Sequence, residues 1–242
     1  MSKWKPRKIR PLSRTGRHRT AKGLELEIVP GPPLSPGVVT ADYGTVLAAL
    51  DGFDPEMPWK KVRARILPML PRVRPLPGPA LELARAMLPP GILVGFGIDI
   101  GPAITFVGAS LLDRWRVDVL TLADASLANL RRLALECGPD AVVRDRIGDV
   151  PVTLLQTRLG IAASLILVPE CLDRLLGPGP HLLLAPMRDI LIALPPDVDR
   201  AFAAWLADEW EALDPNHLHL GGFRYERGAI VPEALDEAMA RA

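Results

Sequence analysis

The chain has 242 residues, 49% of them hydrophobic and 24% charged, with a formal net charge of +1. This predicts one large or two small domains around a mainly aliphatic core, because only 5% of the residues are aromatic. Asp99 and several glycines interrupt the most apolar stretch, 91–112, and no apolar segment follows the basic first residues. These features argue against a membrane span and a secretory signal, so we expect a cytoplasmic protein without membrane contact.

Positive charge is concentrated at the start of the chain. Residues 1–22 contain nine Lys or Arg and no acid, whereas 23–242 contain 20 basic and 28 acidic residues, a net charge of −8. The first segment lacks apolar periodicity, so we expect a disordered arm that binds nucleic acid or an acidic protein. Alternatively, the arm docks on its own acidic body or only aids solubility. The predicted polyanion-binding residues are Lys3, Lys5, Arg7, Lys8, Arg10, Arg14, Arg17 and Arg19; Lys22 completes the nine.

The next part of the chain predicts one strand and two helices. Residues 24–29 alternate apolar and acidic side chains, as in a half-buried strand, and a short helix follows at 41–50. From Pro58 onward, apolar residues recur at spacings of three and four, which predicts an amphipathic helix with a basic outer face. Its apolar stripe is Trp59, Val62, Ile66, Met69 and Leu70, and its basic face is Lys60, Lys61, Arg63 and Arg65.

A proline-rich segment at 71–79 is the best candidate for an internal boundary. It divides an N-terminal strand–helix subregion, 23–78, from a main α+β domain, 79–242. Proline restricts φ and removes a backbone donor, so such a segment is typical of a linker. A short helix at 80–87 is expected directly after it.

The sequence of the main domain predicts alternating hairpins and helices. Its strands are expected at 92–98, 103–107, 141–143, 150–155, 181–185, 190–194, 218–224 and 229–231. Its helices are expected near Ser110, after a capping box at 121–124, at 170–176 and after Pro195-Pro196. The strands lack regular βαβ spacing. We therefore expect an α+β fold of antiparallel hairpins packed against several short amphipathic helices.

Four charged residues are the candidate catalytic or binding residues: Asp99, Arg188 and Asp189 at turns, and Arg224 in a polar cluster late in the chain. Arg188 and Asp189 lie between two very apolar strands, and Asp99 ends another. Such residues form either structural ion pairs or a site. Asp99 and Asp189 would suit Mg²⁺ if their hairpins converge.

Other chemical motifs are weaker. His217 and His219 would share one face of a strand and are candidate metal ligands, although no further ligand cluster is evident. The Gly95–Gly101 segment lacks the final glycine of a dinucleotide fingerprint and leads into a strand. Its Gly97-Ile98-Asp99-Ile100-Gly101 run also resembles the first phosphate hairpin of the actin and sugar-kinase superfamily, but Pro102 replaces the usual small polar residue and no second phosphate loop follows. The need for glycine conformations in a tight hairpin is sufficient to explain the glycines. Cys137 and Cys171 are interpreted as two buried thiols. No cofactor is expected.

The order of several segments resembles the YtpQ-like bacterial family of unknown function. The resemblance covers about 24–232 and excludes the arm. It implies a fold and a cytoplasmic location, and it carries no known activity. The matching segments are 93–99, 104–107, 111–115, 127–130, 186–191 and 223–228.

The leading functional hypothesis is a non-catalytic binding or adaptor protein. Its acidic domain would bind a protein partner, and its arm would contact a polyanion. The first alternative is a metal-dependent phosphoester hydrolase that uses Asp99, Asp189, His217 or His219. The second alternative is a structural subunit whose arm becomes ordered within a larger assembly.

Overall fold

The structure is a computed structural model that describes residues 16–19, 25–28, 43–54, 56–71, 82–101, 103–157, 160–214 and 217–235. Most of the predicted arm and of the predicted linker lie outside these ranges. The fold is α+β, with antiparallel sheets and mostly short helices, as predicted. Within the described residues, every helix is too short or too polar to cross a bilayer.

The described residues include twelve strands and six α-helices. The strands are β1 (Gly16–Arg19), β2 (Glu25–Ile28), β3 (Ile66–Met69), β4 (Arg85–Leu88), β5 (Ile92–Asp99), β6 (Ile104–Phe106), β7 (Val142–Ile147), β8 (Val150–Gln156), β9 (His181–Met187), β10 (Ile190–Leu194), β11 (Gly222–Glu226) and β12 (Ala229–Glu233). The helices are α1 (Tyr43–Gly52), α2 (Trp59–Val62), α3 (Ala109–Trp115), α4 (Val119–Glu136), α5 (Leu172–Leu176) and α6 (Arg200–Glu211). Short 3₁₀ turns lie at Arg63–Arg65, Pro139–Ala141, Ala163–Leu167 and Pro169–Cys171.

A six-stranded antiparallel sheet forms the C-terminal half, in the order β12-β11-β9-β10-β8-β7. Its central strands β9, after its first residue His181, and β10 are apolar and buried, because both faces are covered. Alternate side chains of β9 lie on opposite faces of the sheet: Leu182 and Leu184 pack in a cluster with α6, whereas Leu183 and Ala185 pack in the main core. The sheet therefore has one face toward α6 and the other toward the rest of the molecule.

A second antiparallel sheet is centred on β5. One side of β5 pairs with β3, and the other pairs with β4 and β6. Glycine is needed at Gly97 because a Cβ there would overlap Cγ2 of Ile104 on β6. Close packing of two strands thus accounts for Gly97, one of the glycines that resemble a nucleotide-binding motif.

The two sheets share one hydrophobic core. Buried residues from both, such as Phe96 of β5 and Phe223 of β11, belong to a single cluster that also contains α4. Because β3 pairs with β5, residues on both sides of the predicted boundary at 71–79 form one sheet. That boundary therefore does not separate two sheets or two cores.

Two predicted helices are wrong. The helix predicted from Pro58 ends at Val62 and continues as a 3₁₀ turn, and the chain then becomes strand β3. Most of the helix predicted at 80–87 is replaced by an isolated bridge at Leu83 and by strand β4. In both places the strand supplies β5 with a partner, and this pairing overrides the local helical spacing.

Part of the predicted disordered arm is a strand. Gly16–Arg19 pairs with β2, placing Arg17 opposite Glu27 and Arg19 opposite Glu25 in the register. The strand predicted at 24–29 is confirmed as β2. Residues 1–15 and 20–22 of the arm lie outside the described residues.

Candidate functional site

A cleft of about 1020 Å³ opens between the two sheets at the C-terminal end of α4. Its apolar walls come from β3, α4 and the turns beside them, including Leu67, Leu133 and Ile161. Among the described residues, five charged ones also line it, and they come from three separate parts of the chain: Asp99, then Glu136 and Asp140, then Arg188 and Asp189. Three of the four residues predicted as a site therefore meet in one cleft.

Among the described residues that line the cleft, acidic side chains outnumber basic ones. They are four carboxylates and the guanidinium of Arg188, and Glu136 also pairs with Arg132 at 2.6 Å. The C-terminal end of α4 contributes partial negative charge from its last carbonyls. Arg174 offsets part of that charge by donating to the carbonyls of Ala134 and Cys137. The remaining field favours a cationic ligand.

Asp99 is positioned by the turn between β5 and β6. Its Oδ1 accepts a hydrogen bond from the backbone N of Gly101 at 2.7 Å, and Gly101 has a φ of +93°. The Nε of Arg65 donates to the Asp99 carbonyl at 2.6 Å. Glycine readily adopts this backbone conformation, so the local sequence holds the carboxylate at the mouth of the cleft.

Arg188 and Asp189 form the turn between β9 and β10. The Arg188 carbonyl accepts from the backbone N of Ala163 at 3.1 Å, which ties this turn to the 3₁₀ segment below it. Burial raises the pKa of the Asp189 carboxyl; the charge of Asp214 adds to this, while hydrogen bonds from its own backbone and from Gln156 oppose it. A carboxyl with a raised pKa in a cleft is typical of functional sites.

The fourth predicted residue lies elsewhere. Arg224 is on β11, where its Nε donates to Glu233 Oε2 at 3.1 Å, and Arg200 donates to the other oxygen of the same carboxylate. Burial opposes ionisation of Glu233, but the two arginines together lower its pKa. Arg224 thus belongs to an ion-paired group that links α6 to the edge of the six-stranded sheet, and it is not among the residues that line the cleft with Asp99.

The two candidate metal-binding histidines do not share a strand face. His217 and His219 lie in an irregular segment before β11, and His219 has a φ of +50°. The His217 Nδ1 is 3.0 Å from the Asp214 carbonyl oxygen, whereas the His219 Nδ1 is 3.0 Å from Glu211 Oε2. Across the described ranges, no three His, Cys, Asp or Glu residues cluster closely enough to hold a metal.

Several lining residues carry no motif in the sequence. Glu136 ends α4, Asp140 is in the following 3₁₀ turn, and Thr157 and Ser164 contribute hydroxyl groups near the floor. The Thr157 hydroxyl accepts from the backbone N of Ile161 at 3.0 Å. Gly138-Pro139 is a typical helix stop, but no sequence signal indicated that the turn after α4 faces Asp99.

The two cysteines are half-buried rather than fully buried as predicted. Cys137 lines the cleft, and its Sγ contacts the Leu133 carbonyl at 3.4 Å. Burial raises the pKa of both thiols, which disfavours the nucleophilic thiolate.

The raised pKa of Asp189 predicts a pH-dependent stability difference. Because the folded state holds this proton more tightly than the unfolded chain, the wild type loses stability as the pH rises through the unfolded and then the folded pKa. Asp189→Asn is uncharged throughout, so its Tm relative to wild type should increase as the pH rises above the ordinary Asp pKa of 3.8. Thermal unfolding measures this, with exposed Asp197→Asn as the control. An equal trend in both variants would contradict an effect of burial.

Comparisons of the chain with protein-family models, with curated proteins and with solved structures found no match, so the resemblance to YtpQ-like proteins stays a prediction.

Proposed function

We propose that this protein is a non-catalytic adaptor with two binding surfaces. Its cleft receives a cationic segment of a partner protein, and its basic N-terminal residues contact a polyanion. The observation that carries the proposal is the convergence of Asp99 and Asp189, from separate hairpins, on one cleft with two further carboxylates.

The lining of the cleft supports a Lys- or Arg-containing ligand. Such side chains combine an apolar stem with a charged head, and they bury the stem against apolar surface while the head meets a polar partner. Leu67, Ile104 and Ile161 offer apolar wall, and the carboxylates of Asp99 and Asp189 offer acceptors. A volume of about 1020 Å³ accommodates several side chains of an extended peptide.

Charge separation along the chain supports the second surface. Residues 1–22 carry nine Lys or Arg and no acid, on a body with a net charge of −8. A dense cationic segment releases counterions from a polyanion when it binds, which gives affinity without sequence recognition. An adaptor built this way would bring a basic protein segment and a polyanion together on one chain.

A labelled hexa-arginine peptide tests the cleft in the full-length protein. Fluorescence anisotropy should show at least about tenfold weaker binding for Asp99→Asn/Asp189→Asn, because charge-assisted hydrogen bonds contribute about 1.5–3 kcal/mol each. The matched control is Asp197→Asn/Asp208→Asn, which removes the same charge from exposed positions outside the cleft. If both double variants weaken peptide binding equally, the affinity depends only on the net charge of the protein, and the cleft assignment is overturned.

The meeting of Asp99 and Asp189 also supports a second candidate, a metal-dependent phosphoester hydrolase. Two carboxylates in one cleft suit Mg²⁺ or Mn²⁺, which prefer oxygen ligands. Calorimetric titration of each ion into the wild type and into Asp99→Asn/Asp189→Asn separates the candidates. Binding that the double variant loses, together with hydrolysis of a phosphodiester substrate, would favour the hydrolase over the adaptor.

A further inference from the structure

We infer that Lys60, Lys61 and Arg63 form a second nucleic-acid contact, located on the folded body. We refer to these three residues as the basic turn. The inference rests on the proposed polyanion binding and extends it from the N-terminal residues to a defined surface. It also narrows the polyanion to the phosphate backbone of a nucleic acid.

The basic turn is displayed on a rigid backbone. Val62, in its centre, is completely buried and anchors it to the core, while the three basic residues are exposed. The Asn129 side chain of α4 donates to the carbonyls of Arg63 at 2.7 Å and of Ile66 at 2.9 Å. The backbone that carries the charges is therefore fixed before any ligand arrives, so less ordering opposes binding.

No described acidic residue neutralises the charges of the basic turn. In the described part of the chain, Lys60, Lys61 and Arg63 form no ion pair, and the nearest acidic residue in sequence, Glu56, pairs with Arg114 at 3.4 Å. Two exposed arginines of α4 differ, since Arg131 and Arg132 each contact a glutamate at 2.6 Å. Three cations without an acidic partner among the described residues, on a body of net charge −8, form a local positive surface.

The density of charge favours a nucleic acid over an acidic protein. The three cations lie within four residues, about one helical turn of 5.4 Å pitch. Double-stranded DNA carries one negative charge per about 1.7 Å of its axis, so a surface as small as the basic turn can contact several phosphates. Contacts to phosphates position a duplex or strand without reading its bases. The binding should therefore be independent of nucleotide sequence.

The test compares two triple variants of the full-length protein. Lys60→Gln/Lys61→Gln/Arg63→Gln removes the basic turn, and Arg114→Gln/Arg131→Gln/Arg132→Gln removes three ion-paired charges as the matched control. Anisotropy with a 20-nucleotide single-stranded RNA, a single-stranded DNA and a duplex DNA is measured at several salt concentrations. The basic-turn variant should reduce the slope of log K against log salt by about 2 to 3, since each lost phosphate contact contributes about 0.7–0.9.

Three further outcomes separate this inference from the proposed function. Equal slopes for the two triple variants would overturn the basic turn and leave the N-terminal contact standing. Wild type that binds poly-glutamate but no nucleic acid would overturn the basic turn and keep the adaptor with an acidic partner. Wild type that binds neither would overturn both. The charge-preserving Lys60→Arg/Lys61→Arg/Arg63→Lys variant should bind as wild type does, and loss of binding there would contradict a charge-based contact.

Discussion

Replacing the six basic residues of segment 1–15 with Gln should remove most of the salt dependence of nucleic-acid binding. Counterion release scales with the number of phosphate contacts, so six lost contacts should lower the slope of log K against log salt by about 4 to 5. The wild type should lose roughly a thousandfold in affinity between about 50 and 200 mM salt, and the variant far less. The replaced residues are Lys3, Lys5, Arg7, Lys8, Arg10 and Arg14.

This variant leaves strand β1 and its pairing with β2 unchanged. The matched control keeps residues 1–15 but scrambles their order, which conserves charge and length. Electrostatic contact predicts that the scrambled chain binds like wild type, and anisotropy with the same nucleic acids measures it. A scrambled chain that binds as weakly as the neutral variant would show that specific arm residues, rather than charge, make the contact.

A fragment of residues 79–242, the predicted main domain, should fail to fold cooperatively. It lacks β3, which pairs with β5, and it lacks the core side chains of Val62, Ile66, Leu67 and Leu70. These side chains are at most 2% exposed, and full burial of each contributes about 1.5–3 kcal/mol. Their total, about 6–12 kcal/mol, is comparable to the whole stability of a typical domain, about 5–15 kcal/mol.

A fragment of residues 43–242 is the control for this truncation. It omits the arm and the β1–β2 pair but retains α1, α2 and β3, so it should unfold in one transition near that of the full chain. Urea unfolding followed by circular dichroism and by tryptophan fluorescence measures both fragments. Native-like, cooperative unfolding of 79–242 would show that the segment at 71–79 is a true domain boundary.

The hairpins were predictable because their signals are local. Turns such as Gly148-Asp149 and Arg227-Gly228 require backbone conformations that few residues adopt, and Gly148, Arg227 and Gly228 have positive φ values. Strong local turns of this kind set the pairing of β7 with β8 and of β11 with β12. The α+β class follows from the sequence for the same reason.

The segment from Pro58 shows where local pattern fails. Trp59, Val62 and Ile66 suit a helical stripe, yet Ile66 to Met69 form a strand buried at every position. A strand with both faces covered has no alternating pattern, so its apolar residues are equally compatible with either structure. Pro68 is the residue that distinguishes the two structures. Without an N–H it disfavours a helix interior, but it is tolerated in an edge strand such as β3.

The sequence by itself determined the hairpins, the α+β class and the separation of a cationic start from an acidic body, since each depends on residues close together in the chain. Only the tertiary structure decided that Asp99, Arg188 and Asp189 meet in one cleft and that Arg224 does not. Their meeting depends on how two sheets pack on one core, and packing joins residues about 90 positions apart through contacts that no local pattern encodes. The same packing exposes Lys60, Lys61 and Arg63 on a fixed turn.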